Sequence, residues 1–372
     1  MMAISERSAR MALNALQIAA DPRIATVVAE HGPLEVWEII RAQGDSTSLG
    51  RRAGAIDIAE LEEATRCVGA RFLIPGDELW PEALADLACC EVGEQGGLPF
   101  GLWVSGRAEL LAESSTVALV GARAASSYGQ HVAGALAAEL SFGGWLVMSG
   151  LAFGIDAAAH RGALGAGRPT AAVMATGIDL TYPATHQGLR DAIQDTGVVV
   201  SELAPGRRPI RASFLGRNRL IAALSRGTVV VEAGMRSGAR NTASWAAELG
   251  RVVMAVPGPI TSSLSATPHH LIRDGIATLV ESAEHIISLL GPMTAASEPV
   301  ARGETRPIDS LPPPLRMVRE AVPAGTVATA AQLATASGLT IPEVLAAASE
   351  LAELGWLDET PQGWRLPSRR IP

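Results

Sequence analysis

The sequence predicts an α/β fold: a doubly wound, mainly parallel sheet, with a small helical domain before it and a second small domain after it. Three observations carry this. An apolar run at 116–120, TVALV, breaks into the turn GARAASSYG and then an Ala-rich helical stretch, and a second run, WLVMSG, opens into GLAFGIDAAAHRGAL. Two consecutive apolar strands, each ending in a Gly-bearing loop that feeds a helix, form a parallel sheet whose loops face a ligand. The alternation then continues to ATLV near residue 279. Its strands are apolar throughout, as strands covered on both faces must be.

Residues 1–72 read as a small helical domain of the SAM or helix-hairpin-helix kind: RIATVVAEHG and LEVWEIIRAQG have helical apolar spacing, separated by Gly32-Pro33. The core spans 73–290. It begins with a joining segment, FLIPGDELWPEALADL and EVGEQGGLPFGLWVSG, whose Trp80 and Trp103 are expected to cover the sheet edge. Then come strand TVALV, a helix from Tyr128 to Leu140, strand WLVMS, a helix from Asp156, strand TAAVMA, a helix after His186 and strand VVVS. A long loop, a helix from Arg217, strand TVVVE, a helix to Glu248, strand VVMAV and a short strand in ATLV complete it. Residues 291–314 turn to Pro, Ser, Thr, Glu and Gly and read as a linker. Residues 315–372 give three amphipathic helices and a hairpin turning at 361–363, the order of a winged helix.

Composition narrows the function classes. A length of 372 residues, 48% hydrophobic, with 38 glycines, suits two or three packed domains. No apolar run has membrane-spanning length and the N-terminus has no signal-peptide pattern, so a cytoplasmic chain without membrane insertion is expected. Cys67, Cys89 and Cys90 have neither C-x-x-C spacing nor partner histidines, which leaves no metal site and predicts buried thiols. The net charge of −8 argues against coating nucleic acid through overall charge. Yet all 30 basic residues are arginine, and eight of them lie between Glu202 and Glu248 with one acid, Glu232. The guanidinium fork suits phosphate.

The first loop, GARAAS, lacks G-x-G-x-x-G, so a dinucleotide cofactor loses its main support and another phosphate is the expected ligand. Gly121 permits close backbone approach, Arg123 supplies a cation, and Ser126 or Ser127 caps a helix whose first amides favour an anion. Pairing of Arg123 with a surface carboxylate is the competing reading. In SGLAFGID, Gly150 and Gly154 frame a tight turn, and Asp156 opens a helix with His160 one turn later. Ser149, Asp156 and His160 are triad residue types, but i,i+4 spacing sets the Asp and His side by side, so a cap and a helical histidine are expected.

The loop APGRRPIRASFLGRNRLIAAL carries the strongest chemical signal. Prolines hold it extended, Arg207, Arg208 and Arg211 rise from it, and Arg217, Asn218 and Arg219 are expected at the start of a helix. Arginines alternating with an apolar ring, Phe214, suit a single nucleic-acid strand, guanidinium groups meeting phosphates and the ring meeting a base. The last loop sets Ser237 and Gly238 before a helix, with Arg236 and Arg240 available and Asn241 or Thr242 as cap. Loops at the carboxyl ends of parallel strands emerge together, so Arg123, Gly154, Arg217, Arg219 and Ser237 are expected in one crevice.

The segments PGDELWPEALADL, VGARAASSYG, SGLAFGIDAAAHRGAL, ATGIDLTYPATH, SELAPGRRP, GRNRLIAALS, VVVEAGMRSGARNTA and GRVVMAVPGP resemble the DNA-processing protein A (DprA/Smf) family over nearly the whole chain. The resemblance implies an extended Rossmann-like core, often with a small N-terminal helical domain and a C-terminal winged helix. It also implies a homodimer that binds single-stranded DNA and helps load RecA past single-strand-binding protein during natural transformation, with no cofactor and no turnover. On matching positions the implied DNA pocket comprises Arg123, Ser126, Gly150, Gly154, Arg207, Arg208, Phe214, Arg217, Asn218, Arg219, Ser237 and Gly238. Two segments depart: the family's FP-x-RNR is FLGRNR here, loosening the approach to Arg217, and its SGSL-x-TA is SGARNTA, where Arg240 adds a cation.

Two other classes compete. Nucleoside-monophosphate phosphoribohydrolases hold a nucleotide in a similar crevice with a PGG-x-GT-x-x-E loop, but EAGMRSGARNTA here lacks the double glycine and the glutamate. A regulator reading duplex DNA through the winged helix is opposed by IPEVLAAASELAEL, which has three acids and no arginine and suits protein contact.

Overall fold

The computed structural model describes residues 4–18, 20–113, 115–291 and 307–367 and divides into two compact units, Met1–Ala295 and Ala296–Pro372. The larger opens with α1 (Glu6–Ala15), α2 (Pro22–His31), α3 (Pro33–Ala42), α4 (Ser48–Gly54) and α5 (Ile58–Cys67). Their starts follow from sequence: Ser5, Asp21, Thr47 and Asp57 accept hydrogen bonds from first-turn amides, and Pro22 and Pro33 sit at first helical positions. Helices α1 and α5 pack on the sheet, while Val28, Val36, Trp37, Ile40 and Ala53 of α2 to α4 share a separate cluster with α1. Met11 and Ala15 share a buried cluster with Trp103, Ile178 and Val199, and Asn14 donates to the Gly101 carbonyl.

The sheet-forming part runs β1 (Arg71–Leu73), a hairpin of β2 (Glu91–Val92) and β3 (Gln95–Gly96), β4 (Leu102–Gly106), α6 (Glu109–Glu113), β5 (Thr116–Val120), α7 (Ser127–Phe142), β6 (Leu146–Ser149) and α8 (Ile155–Gly165). It continues with β7 (Thr170–Gly177), α9 (Gln187–Thr196), β8 (Val198–Leu203), α10 (Arg211–Ala223), β9 (Gly227–Val230), α11 (Gly238–Glu248), β10 (Val252–Ala255), α12 (Ala266–Arg273), β11 (Thr278–Leu279) and α13 (Ala283–Leu290). The nine-stranded sheet has the order β1-β4-β8-β7-β6-β5-β9-β10-β11. Strands β5 to β11 pair in parallel, whereas β4 is antiparallel to β8 and β1 to β4. Chain order reverses at β5/β9, where ligands of such sheets bind. Both faces are covered: Val117 and Leu119 belong to one buried cluster, Ala118 and Val120 to the other.

Several expectations need correction. Strands β1 and β4 come from segments read as a connection, and the division expected at residue 72 falls inside β1. Trp103 does not cover the edge; it is fully buried within β4, its ring 4.5 Å from Phe72 and its indole N–H on Thr65. Cys67 and Cys89 are exposed rather than buried, because Cys67 lies on the outer face of α5, its thiol donating to Glu63. Helix α10 starts at Arg211, six residues before the expected start at Arg217. Pro209 ends the extended stretch, Ser213 Oγ accepts from the Ile210 amide, and Leu215, standing where the resembling pattern has proline, lets the helix run on. The approach to Arg217 is therefore helical, not loosened.

The smaller unit has α14 (Pro313–Ala321), α15 (Ala330–Ser337), α16 (Ile341–Glu353) and the antiparallel pair β12 (Asp358–Thr360) and β13 (Gly363–Arg365). Trp364 also bridges to Ala328, and Leu315, Val318, Leu333, Val344 and Leu351 form this unit's own core. Of the expected linker, 292–306 lies outside the described residues, and α14 begins within its last part.

Candidate nucleic-acid interface

Close backbone approaches build the floor of the site. A Cβ on Gly121 would lie 2.4 Å from Ile155 and 2.7 Å from the Glu232 carbonyl, so only glycine lets the β5 and β9 loops meet there. Gly154 has φ +75°, and a Cβ on it would strike the Ala122 carbonyl at 2.2 Å. Ser126 caps α7, accepting from the Gly129 amide, while its own N–H and Oγ bond Glu232 at 2.9 and 2.6 Å. Both polar groups of Ser126 are thus engaged inside the protein, where they tie the β5 loop to Glu232.

Asp156 accepts from the Gly150 and Ala152 amides at 3.1 and 3.4 Å, closing the β6–α8 turn as a cap does. The triad types do not line up as a relay: Ser149 donates to the Leu119 carbonyl, and the fully buried His160 bonds Thr170 at 2.9 Å. Because the Thr170 hydroxyl donates to Val147, it accepts from His160 Nδ1–H, which fixes the tautomer. Burial, reinforced by the Arg217 charge, pushes His160 down to about 3, so the ring is neutral. Burial raises the Asp156 carboxyl, opposed by Arg217 and by the two amides.

Helix α10 separates its arginines. Successive residues turn about 100°, so positions two apart face nearly opposite ways. Arg217 faces the crevice: its Nη1 donates to the Val173 carbonyl at 2.8 Å and packs on Gly150, where a Cβ would be 1.4 Å away. Burial lowers its pKa and Asp156 opposes this, but a guanidinium stays charged. Arg219 faces inward. It is fully buried, with two hydrogen bonds to Glu202 at 2.9 and 2.7 Å, so its guanidinium is taken up inside the protein and does not line the crevice where it was expected. Asn218 donates to Asn241, tying α10 to α11.

These elements surround a crevice of about 830 Å³ lined by Gly121, Arg123, Phe214, Asn218, Ser237 and Gly238 together with Arg211, Arg217, Arg236 and one acid, Asp156. Arg123, Arg211 and Arg236 are exposed, and Arg123 stacks over Phe214 at 4.8 Å. Arg211 and Arg236 are lining cations that the pocket drawn from the resemblance leaves out, although both stand in the arginine-rich run. Other expected residues lie elsewhere. Arg207 donates to the Ala15 carbonyl, Arg208 lines a separate hollow of about 50 Å³, and Arg240 lines another of about 330 Å³. Gly150 and Gly154 act from beneath, by the close approaches described. Among the described residues no group of three His, Cys, Asp or Glu could hold a metal ion. None of their helices is long and apolar enough to cross a membrane.

A Rossmann-like α/β protein with an arginine-lined crevice where strand order reverses is the class these observations define. A family model described as DNA recombination-mediator protein A matches residues 71–291, and the chain belongs to that family. It is 43% identical over 357 residues to a DNA processing protein DprA assigned in Mycobacterium tuberculosis, covering 92% of this chain and 90% of the other. It is 35% identical over 303 residues to Protein Smf of Escherichia coli, covering 78% and 76%. The solved structure of DNA processing protein A from Streptococcus pneumoniae superposes with TM-score 0.65 at 32% identity, over 78% of this chain and 99% of that one. DNA processing protein A of Helicobacter pylori, whose single-stranded DNA binding mode is described, superposes with TM-score 0.52 at 27% identity, over 59% and 95%.

Proposed function

We propose that this chain is a non-enzymatic recombination mediator: a cytoplasmic homodimer that holds single-stranded DNA in the crevice and hands it to RecA past single-strand-binding protein during natural transformation. The crevice carries the reading. Three exposed guanidinium groups and one buried one surround an opening of about 830 Å³ beside a half-buried ring, against a single acid already held by two backbone amides. Cations track a phosphate backbone and a ring face accepts any base, which suits strands of mixed sequence. Nucleotide hydrolysis is the less favoured reading, since EAGMRSGARNTA lacks the double glycine and the glutamate of the phosphoribohydrolase loop. The smaller unit fits a winged helix used for protein contact, since α16 carries Glu343, Glu350 and Glu353 and no arginine.

Fluorescence anisotropy of labelled oligo-dT, titrated across salt beside duplex DNA, tests binding. Single-strand affinity is expected to fall with log salt at a slope of about −0.7 per phosphate engaged, and Arg123→Ala, Arg211→Ala or Arg236→Ala to flatten that slope. Absent binding, or equal affinity for duplex, overturns the reading. The RecA step is tested by the rate of RecA filament growth on strands coated with single-strand-binding protein: an unchanged rate on adding this protein sinks it.

A further inference from the structure

Exposed aromatic rings gather at one place that phosphate binding does not explain. Phe153, 47% exposed, and Tyr182, 49% exposed, line with Phe214 a slot of about 30 Å³ beside the crevice. Tyr182 meets Phe214 edge to face at 5.5 Å, Phe153 meets the buried His186 at 4.8 Å, and Arg123 lies over Phe214. Single exposed apolar side chains are ordinary on protein surfaces; three rings around one slot, flanked by a guanidinium, are not.

The turn that presents Phe153 is held in an unfavourable conformation. Leu151 is fully buried at φ +56°, a region uncommon for residues other than glycine. His186 donates from Nδ1 to the Leu151 carbonyl at 3.0 Å, and Asp156 receives the amides on either side. Strain kept in place by such over-determined bonding clusters where geometry serves binding. Here the bonding buries Leu151 and turns Phe153 outward.

We propose that Phe153 and Tyr182 form, with Phe214, an aromatic ledge that stacks the bases of the bound strand, a base subsite beside the phosphate-binding arginines. The inference rests on the single-strand reading above. The slot is narrow, with about 30 Å³ of free volume. Bases lie across its mouth, against the exposed rings of Phe153 and Tyr182. Stacking on a ring face asks for no particular base edge, so the ledge takes any base.

The test compares oligo-dT with an abasic oligonucleotide of equal length, for the full chain and its Phe153→Ala, Tyr182→Ala, Phe153→Trp and Arg123→Ala variants. Phe153→Ala and Tyr182→Ala are expected to lose about tenfold in affinity for oligo-dT and nothing for the abasic strand, while Phe153→Trp holds affinity. Arg123→Ala weakens both ligands. Both rings are half exposed, so the melting temperature stays within about 2 °C, as expected of surface substitutions. Equal losses on both strands, or no loss on oligo-dT, overturn the ledge while leaving the crevice intact. A chain that binds neither strand overturns the single-strand reading, and the ledge with it.

Discussion

At the residue scale, the motif RNR holds two arginines with opposite fates. Sequence places Arg217 and Arg219 together beside the ligand, yet a helix cannot turn both toward one side, and that periodicity alone could have separated them. What it could not supply is the partner: Glu202 sits at the end of β8, and only the fold brings it to Arg219. Removing one member of a buried pair strands the other charge, so Arg219→Ala should cost about 3–5 kcal/mol, read as a fall in the urea midpoint. The fraction still folded should bind oligo-dT as tightly as the parent chain. Replacing both partners, Arg219→Met with Glu202→Leu, should recover most of the loss, because neither charge is then buried alone. A stable Arg219→Ala chain with abolished binding would return Arg219 to the interface.

At the element scale, helices α7 and α8 pack through a glycine contact. A Cβ on Gly162 would lie 2.2 Å from the Gly134 carbonyl oxygen and 2.9 Å from the Gly134 Cα, whereas one on Gly134 would meet only the Ala158 carbonyl, at 3.7 Å. Gly162→Ala must push backbone from backbone and should destabilise by about 1–3 kcal/mol. Gly134→Ala should be neutral or gain up to about 1 kcal/mol from helix propensity, and urea titration of the two variants distinguishes them. A neutral Gly162→Ala would mean the helices are farther apart than described. The parallel strands β5 to β10 were legible in sequence because each is an apolar run closed by a glycine loop. Strands β1 and β4 were not, since prolines and glycines surround them and their pairing is antiparallel, β1 with β4 and β4 with distant β8. The start of α10 was masked in the same way: RPIRAS reads as loop until Ser213 is seen meeting the Ile210 amide.

At the scale of the whole molecule, the two units have separate cores. The clusters of the larger unit end at Leu290 and that of the smaller begins at Leu311, so each buries its apolar surface against itself. Their charge differs as well. Residues 307–367 hold three arginines against seven acids, while the crevice gathers its cations from loops and helix α10 of the larger unit. A self-contained core predicts independent folding, and this charge division predicts that single-strand affinity belongs to the larger unit alone. A chain ending at Gly291 should therefore melt cooperatively and bind oligo-dT within about twofold of the full chain, with the same salt slope, since every phosphate-facing cation is retained. The smaller unit, carrying excess negative charge on its exposed helix α16, should show no affinity for single-stranded or duplex DNA at physiological salt. A shortened chain that folds but loses most of its affinity would place part of the strand's path on the smaller unit, against the sign of its charge.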